Sequence, residues 1–352
     1  MSKMFIDGTK LMYHPDVLAK WLAGDNFFPL HVEISPSSAC NHRCILCCVD
    51  YLKHKPQHLD REVFLNLIRS FSKTGVKSFL LAGEGEPLMN KNLADVISLA
   101  SELKVDSAIN TNGVLFTPDF AEAVMDKILW IRFSLQSAES KLYAYLHGTK
   151  ETDLEIVKSN IYAAVQIKKR KKLPVKIGIQ QILLEENREQ ILPLAILSKE
   201  LGVDYYTVKR HSTHPLNKYS VPEDVHVRVE DQFNQAKALE DNNFLALVRF
   251  NDFSDPCIRT YKQCLGLPFI AQVLADGGLY TCCQHFRMER FCYGNLYEAS
   301  FEEIWMSERR KSVIKDVELN IDVSKCMTYC RHHNVNKYIW QLKNSPEHIN
   351  FI

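Results

Sequence analysis

The sequence predicts an α/β chain, a partial (β/α)6 TIM-like barrel over residues 30–210 followed by a small C-terminal α+β domain. Two observations carry this. Short apolar runs alternate about six times with segments whose apolar residues recur at helical spacing. Strands separated by helices pair in parallel, and about six such units form an open or partial barrel. After Lys209 the rhythm weakens, and from Cys264 onward a hairpin signature and spaced cysteines replace it.

The elements follow in order. His31-Val32-Glu33-Ile34-Ser35 reads as the first strand, leading into Cys40. Asp60 caps a helix with Phe64, Leu67, Ile68 and Phe71 on one face, and Gly75 ends it. The strand at 76–82 runs into Gly83-Glu84-Gly85-Glu86-Pro87. A helix carrying Leu93, Val96, Ile97 and Ala100 precedes the strand at 105–110, and residues 121–125 are helical before the strand at 129–135. A longer helix near 152–167 precedes the strand at 175–183. Another, ending at Gly202, precedes the strand at 203–208.

Residues 211–260 read as a connecting region with its own helix near 230–240. Runs at 269–274 and 279–283 flank Ala275-Asp276-Gly277-Gly278, a hairpin turn. Ser300 and Glu303 form a capping box that opens a helix through Trp305. The expected division is an N-terminal extension (1–29), the barrel (30–210), the connecting region (211–260), a cysteine-bearing domain (261–335) and a tail (336–352).

Composition narrows the function. The 352 residues, 46% hydrophobic, suffice for one large domain and a small one. Lys and Arg number 43 against 42 Asp and Glu, so no surplus charge points to nucleic acid or an anionic membrane. The run Lys168-Lys169-Arg170-Lys171-Lys172 reads as the basic last turn of a solvated helix. No apolar stretch reaches the ~18 residues of a membrane span. The N-terminus has no apolar signal-peptide core, so a cytoplasmic location is expected. There the eleven cysteines are metal ligands, catalytic thiols or packing residues rather than disulfides.

Cys40, Cys44 and Cys47 follow the first strand at Cys-x3-Cys-x2-Cys spacing. Three thiolates on one loop can hold three irons of a cubane cluster and leave the fourth iron open. A structural zinc normally takes four ligands, and only Cys48, His42 and His54 stand near enough to compete. The C-terminal candidates are Cys264, Cys282 behind Gly277, and the pair Cys326-x3-Cys330. By themselves those four fit a structural zinc as well as an iron–sulfur cluster.

The first loop resembles the signature of radical S-adenosylmethionine (SAM) enzymes, and later segments agree with it in order. Gly83-Glu84-Gly85-Glu86-Pro87 looks like the family's Gly-Glu-Pro segment, which holds the methionine amino group of SAM. Asn110-Thr111-Asn112-Gly113 is similar to its Thr-Asn-Gly. Arg132-Phe133-Ser134-Leu135-Gln136 is similar to its fourth-strand segment, and Ile177-Gly178-Ile179-Gln180 to the strand that meets the adenosyl group. Leu46 stands where the family commonly has an aromatic residue. The C-terminal part resembles the SPASM/twitch extensions of these enzymes, through its hairpin, Tyr293-Gly294-Asn295-Leu296 and Phe301-Glu302-Glu303-Ile304-Trp305.

The resemblance implies SAM and two 4Fe-4S clusters. The SAM-binding cluster would sit on Cys40, Cys44 and Cys47, and an auxiliary one on Cys264, Cys282, Cys326 and Cys330. It implies SAM contacts at Gly83, Glu84, Gly85, Glu86, Pro87, Asn112, Ser134, Gln136 and Gln180. One-electron reduction, by a flavodoxin or ferredoxin, would cleave SAM to a 5′-deoxyadenosyl radical that abstracts a substrate hydrogen. The expected reaction oxidises or epimerises a sugar, aminocyclitol or nucleotide-sugar. A peptide epimerase or crosslinking maturase is the alternative, and a non-enzymatic zinc or iron–sulfur scaffold a third. Among the remaining thiols, Cys257 near the domain junction is the expected hydrogen donor for an epimerase. Cys48, Cys283 and Cys292 read as packing residues, and His332 and His333 as a solvated helix start.

Overall fold

The computed structural model describes residues 8–53, 56–217, 219–222, 224–248 and 258–351. Six parallel strands lie side by side in chain order: β1 (His31–Ile34), β2 (Ser78–Leu81), β3 (Asp106–Thr111), β4 (Trp130–Ser134), β5 (Lys176–Leu183) and β6 (Tyr205–Arg210). These are the six strands expected from the sequence. Their residues are buried on both faces, as parallel strands under a helical layer must be.

The covering helices are amphipathic. After α1 (Pro15–Ala23) comes α2 (Arg61–Thr74), which buries Phe64, Leu65, Leu67, Ile68 and Phe71 against Val32, Ile34, Phe79 and Leu81. Gly75 ends α2 at φ +80°, its N–H donating to Phe71 O. The layer continues with α3 (Leu93–Glu102), α4 (Pro118–Val124), α5 (Ser140–His147), α6 (Thr152–Lys171), α7 (Ile191–Leu201) and α8 (Glu230–Ala238). In the last turn of α6, Lys168 pairs with Asp204, and Arg170 and Lys171 pair with Glu122. The basic run is thus a paired helix end. No helix among the described residues is long and apolar enough to cross a membrane.

The sheet does not stop at six strands. β7 (Leu245–Val248) pairs in parallel with β6, inside the stretch expected only to connect. A four-residue apolar run is too short to stand out from a loop by periodicity. On the other side β8 (Ile270–Val273) pairs in parallel with β1. Then β9 (Gly278–Tyr280) and β10 (Cys292–Asn295) continue antiparallel, giving one ten-stranded sheet. The C-terminal domain is therefore grafted onto the barrel's first strand.

Its helices are α9 (Phe301–Met306), α10 (Glu308–Asn320) and α11 (His333–Lys343). The Ser300–Glu303 capping box opens α9 as expected. The last helix departs from the expected tail. Val335 and Ile339 pack with Leu265 and Phe269, and with Leu11 and Leu18 near the chain start, so both ends of the chain share one apolar cluster. His332 and His333 are buried, not the solvated helix start expected, because the chain between Cys330 and α11 passes beneath Tyr261 and Glu33.

Strand direction sorts the cysteines. The loop with Cys40 leaves the C-terminal end of β1. The register places Gln272 beside both Glu33 and Tyr280, so the antiparallel β9 carries Cys282 toward the end where β1 begins. The chain after Cys40 folds back to meet it, so that Cys47, Cys48 and Cys283 border one apolar cluster.

Candidate functional site

The loop from Cys40 to Cys47 is fixed by backbone contacts to the end of α5. Arg43 N donates to His147 O at 3.0 Å and Ile45 N to Leu146 O at 3.1 Å. Gly148, at φ +55°, lies so close to Arg43 O that a Cβ there would collide with it. Asn112 Nδ2 reaches across to Asn41 Oδ1 at 2.7 Å. The three thiols are half-buried. Burial pushes the Cys44 thiol up to about 12, with Cys40 beside it adding to the shift. Cys47 is likewise raised well above its ordinary value by burial and then by Cys48.

The glycine-rich segment after β2 packs directly under this loop. A Cβ on Gly85 would run into Ala39 O and Ser37 O, and one on Gly83 (φ +116°) would come within 2.6 Å of Ser35 Cβ. Only glycine permits so close an approach of two backbones. Pro87 opens the short turn Pro87–Met89. Glu86 is buried and accepts from Thr111 Oγ1 at 2.7 Å, Asn112 N at 2.8 Å and Leu88 N at 3.2 Å. Burial raises its carboxyl to about 7 against the pull of those three donors. Glu84 turns the other way: it accepts from Arg287 Nε at 2.7 Å and from Ala275 N at 3.2 Å. Of the residues expected around SAM, Glu84, Glu86 and Asn112 spend polar atoms on holding loops together.

Ser134 ends β4, half-buried. Gln136 is buried and accepts from Ile182 N at 2.7 Å through Oε1. Gln180, on β5, accepts from Arg132 at 3.3 Å, and Arg132 also donates to Tyr205 OH at 3.2 Å. The side chain of Tyr205 occupies the space that a Cβ on Gly178 would need. Asn110 Oδ1, on β3, is buried without a partner.

The second group is assembled from separate segments. Asn336 on α11 accepts from Leu265 N at 2.8 Å and Gly266 N at 2.7 Å, and its Nδ2 lies 3.4 Å from Cys264 Sγ. Arg259 donates to Cys326 O at 2.9 Å and Met327 O at 2.8 Å. His285 Nδ1 lies 3.6 Å from Cys282 Sγ. Burial raises Cys264 to about 12, with Cys330 and then Cys326 adding to it. Cys282 is raised by burial, then by Cys330 and Cys264. The fold thus brings all four expected thiols into one electrostatic neighbourhood.

These donor sets suit clusters better than single ions. Tetrahedral zinc, with Zn–S near 2.3 Å, would hold sulfurs about 3.8 Å apart. Among the described residues, the one group of three or more donors whose ligand atoms all lie within 4.8 Å of each other is His42, Cys44 and His147. Neither cysteine group is gathered that tightly.

Two thiols read from the sequence as packing residues have a more central place. Cys48 and Cys283 border one apolar cluster with Cys47, Val49, Leu274 and Phe286, and Cys283 Sγ lies 3.3 Å from Met327 Sδ. Tyr51 OH also donates to Cys283 O at 3.5 Å. Their adjacency to Cys47 and Cys282 in the sequence was the available signal. Cys257 and His54 lie outside the described residues.

Family models match two segments: the radical SAM superfamily over residues 34–195 and an iron–sulfur cluster-binding (SPASM) domain over residues 264–332. A cofactor-modifying protein for the tungsten-containing aldehyde ferredoxin oxidoreductase of Pyrococcus furiosus is 23% identical, the match covering 80% of this chain and 81% of that protein. A GTP 3′,8-cyclase from Xanthomonas campestris is 27% identical over 71% of this chain and 78% of its own. In fold, the chain is similar to Streptococcus suis SuiB bound to S-adenosylmethionine, with TM-score 0.67, 18% identity, and coverage of 89% of this chain and 74% of that one. It is also similar to anSMEcpe with bound AdoMet and a peptide, with TM-score 0.61, 16% identity and 88% of both chains covered. With its three-cysteine loop packed over a glycine cradle and a second cysteine group on an added hairpin, the chain belongs to the radical SAM superfamily as an enzyme with a C-terminal SPASM domain, its cofactors S-adenosylmethionine and two iron–sulfur clusters.

Proposed function

We propose that the chain abstracts hydrogen from a carbon of a peptide substrate. In this reading Cys40, Cys44 and Cys47 hold the SAM-binding 4Fe-4S cluster, and Cys264, Cys282, Cys326 and Cys330 hold an auxiliary one. The observation that carries it is the loop of three thiols at Cys-x3-Cys-x2-Cys spacing, pinned at one end of β1. When bound, the reduced first cluster and SAM supply a 5′-deoxyadenosyl radical.

The chain's own residues prepare that site. Gly83 and Gly85 let the cradle close directly onto residues 35–39 beneath the cysteine loop. Glu86 and Asn112 lock the cradle to β3 and to Asn41, so the loop is positioned before anything binds. Ser134 and Gln180 present polar groups from β4 and β5, while Gln136 fixes the start of the chain after β4 to β5. The Glu84–Arg287 ion pair draws the C-terminal hairpin against the cradle. The unit of function is thus residues 30–210 together with 261–335, the stretch 211–260 contributing β7 and α8 between them.

A peptide substrate is supported by solved proteins of this fold that hold one, SuiB with its precursor peptide SuiA and anSMEcpe with peptides. The second reading, a small molecule, is favoured by the name of the GTP 3′,8-cyclase relatives. The relatives lend nothing to the sugar or aminocyclitol expected from the sequence. Oxidation of the substrate radical would deliver an electron toward the auxiliary group. Epimerisation would instead need a thiol hydrogen, and Cys48 and Cys283, which share one apolar cluster with Cys47, are the described thiols placed to supply it. A flavodoxin or ferredoxin would supply the initiating electron.

The test is anaerobic reconstitution of the full chain followed by reduction with SAM. Iron near about eight per chain with 5′-deoxyadenosine release supports the reading. Stoichiometric zinc without SAM cleavage refutes it. Solvent deuterium in the product separates epimerisation from oxidation.

A further inference from the structure

His42, Cys44 and His147 form a compact donor group that resembles a mononuclear metal site. The hydrogen bonds of His147 say otherwise. It is the last residue of α5, 1% exposed, with its ring stacked on Tyr143 at a centroid distance of 4.2 Å. The backbone N–H of Gln136 donates to His147 Nε2 at 3.3 Å. A backbone N–H can only donate, so Nε2 must offer its lone pair. In a neutral ring the proton then sits on Nδ1, and Nδ1 lies 3.6 Å from Cys44 Sγ. A nitrogen that carries a proton has no lone pair for a metal. His147 is therefore arranged to donate to the sulfur rather than to join it as a ligand.

The position is over-determined. The His147 carbonyl accepts from Arg43 N, one residue before Cys44, so backbone and ring of one residue grip the same loop. Gly148, immediately after, has no Cβ to push the two chains apart.

We propose that His147 is a positioning residue that sets the reduction potential of the SAM-binding cluster by an Nδ1–H···Sγ hydrogen bond to Cys44. The inference rests on the reading that Cys40, Cys44 and Cys47 hold that cluster. Reduction adds negative charge that is shared with the cysteine sulfurs, so a donor to one of them stabilises the reduced state more than the oxidised one and raises the potential. The effect makes the initiating electron easier to deliver.

The experiment is a potentiometric titration of the reconstituted full chain, followed by electron paramagnetic resonance with and without SAM. The SAM-responsive signal belongs to the cluster on the first loop, which separates it from the auxiliary one. His147→Leu should lower the midpoint of that signal, with a tenfold shift in the reduction equilibrium corresponding to about 59 mV for one electron. His147→Gln, which keeps an N–H donor, should recover part of the shift. Equal midpoints in all three proteins, each with full iron and a SAM-responsive signal, overturn the inference. Absence of a SAM-responsive signal from the unsubstituted protein overturns the underlying reading instead. Ring-nitrogen magnetic resonance of the unsubstituted, cluster-free chain gives a readout that does not depend on variants folding. Proton on Nδ1 supports the inference, and proton on Nε2 overturns it.

Discussion

The two cysteine groups are built in opposite ways. Cys40, Cys44 and Cys47 share one loop, and their neighbours at Leu146, His147 and Gly148 come from a single helix end. Cys264, Cys282, Cys326 and Cys330 come from a strand entrance, a strand exit and a segment before the last helix, held by Asn336 and Arg259. The first group needs only its own loop and a wall to lean on. The second exists only once β8, β9 and α11 have docked. Damage to the first should therefore be local and chemical, and damage to the second should pass through the fold.

Six substitutions in four tests probe that contrast, taken from the largest expected effect to the smallest. Replacing Cys40, Cys44 or Cys47 by Ala should reduce 5′-deoxyadenosine formation, read by chromatography, to background while leaving the unfolding midpoint of the metal-free chain nearly unchanged. A large drop in that midpoint would mean that the loop is structural after all. Replacing Cys282 by Ala should lower iron from about eight to about four per chain. It should stop product formation yet spare part of the SAM cleavage, and normal turnover would remove the second group from the reaction. Glu84→Ala should cost about 3 kcal/mol in chemical denaturation, because Arg287 loses the buried carboxylate that holds the hairpin to the cradle. A cost near zero would mean that the two regions are joined by the sheet alone. Gly148→Ala should cost about 1–3 kcal/mol through collision with Arg43 O at a left-handed φ. That cost should come with weakened SAM cleavage and the auxiliary iron retained.

Acid should act on the fold through the first strand. Burial lowers the His31 pKa from 6.5 to about 4, while its ring bonds Ser78 Oγ at 2.8 Å. Below about pH 6.5 the unfolded chain takes up a proton that the folded chain refuses, so stability falls between pH 6.5 and about 4, by at most about 3 kcal/mol. His31→Gln should flatten that part of the stability profile, and an unchanged slope would assign it to other groups.

The sequence disclosed what is encoded locally. The six barrel strands are legible because each joins an apolar run to a helix-period segment, and α9 because Ser300 and Glu303 cap it side chain to backbone. The first cysteine loop is legible for the same reason, its ligands being a few residues apart. What escaped depends on contacts between distant segments. β7 is four residues that become a strand only beside β6. α11 looks polar until Val335 and Ile339 meet Leu11 and Leu18. Glu84 and Glu86 stand two residues apart in one motif, yet one faces Arg287 and the other Asn112, a divergence that no spacing rule announces. Likewise His147 carries no motif, and only the approach of α5 to Cys44 marks it.

The apolar cluster at Cys283 has one more consequence. β1 delivers the Cys40 loop at its end and β9 heads toward its beginning, yet Cys283, directly after Cys282, meets Cys47 and Cys48 in one apolar cluster, so packing and not strand length joins the two groups. Changes elsewhere at the barrel mouth that spare Cys47, Cys48, Cys283 and their neighbours Val49, Leu274 and Phe286 should leave that junction intact. An electron passing between the two groups would meet that packed junction on its way.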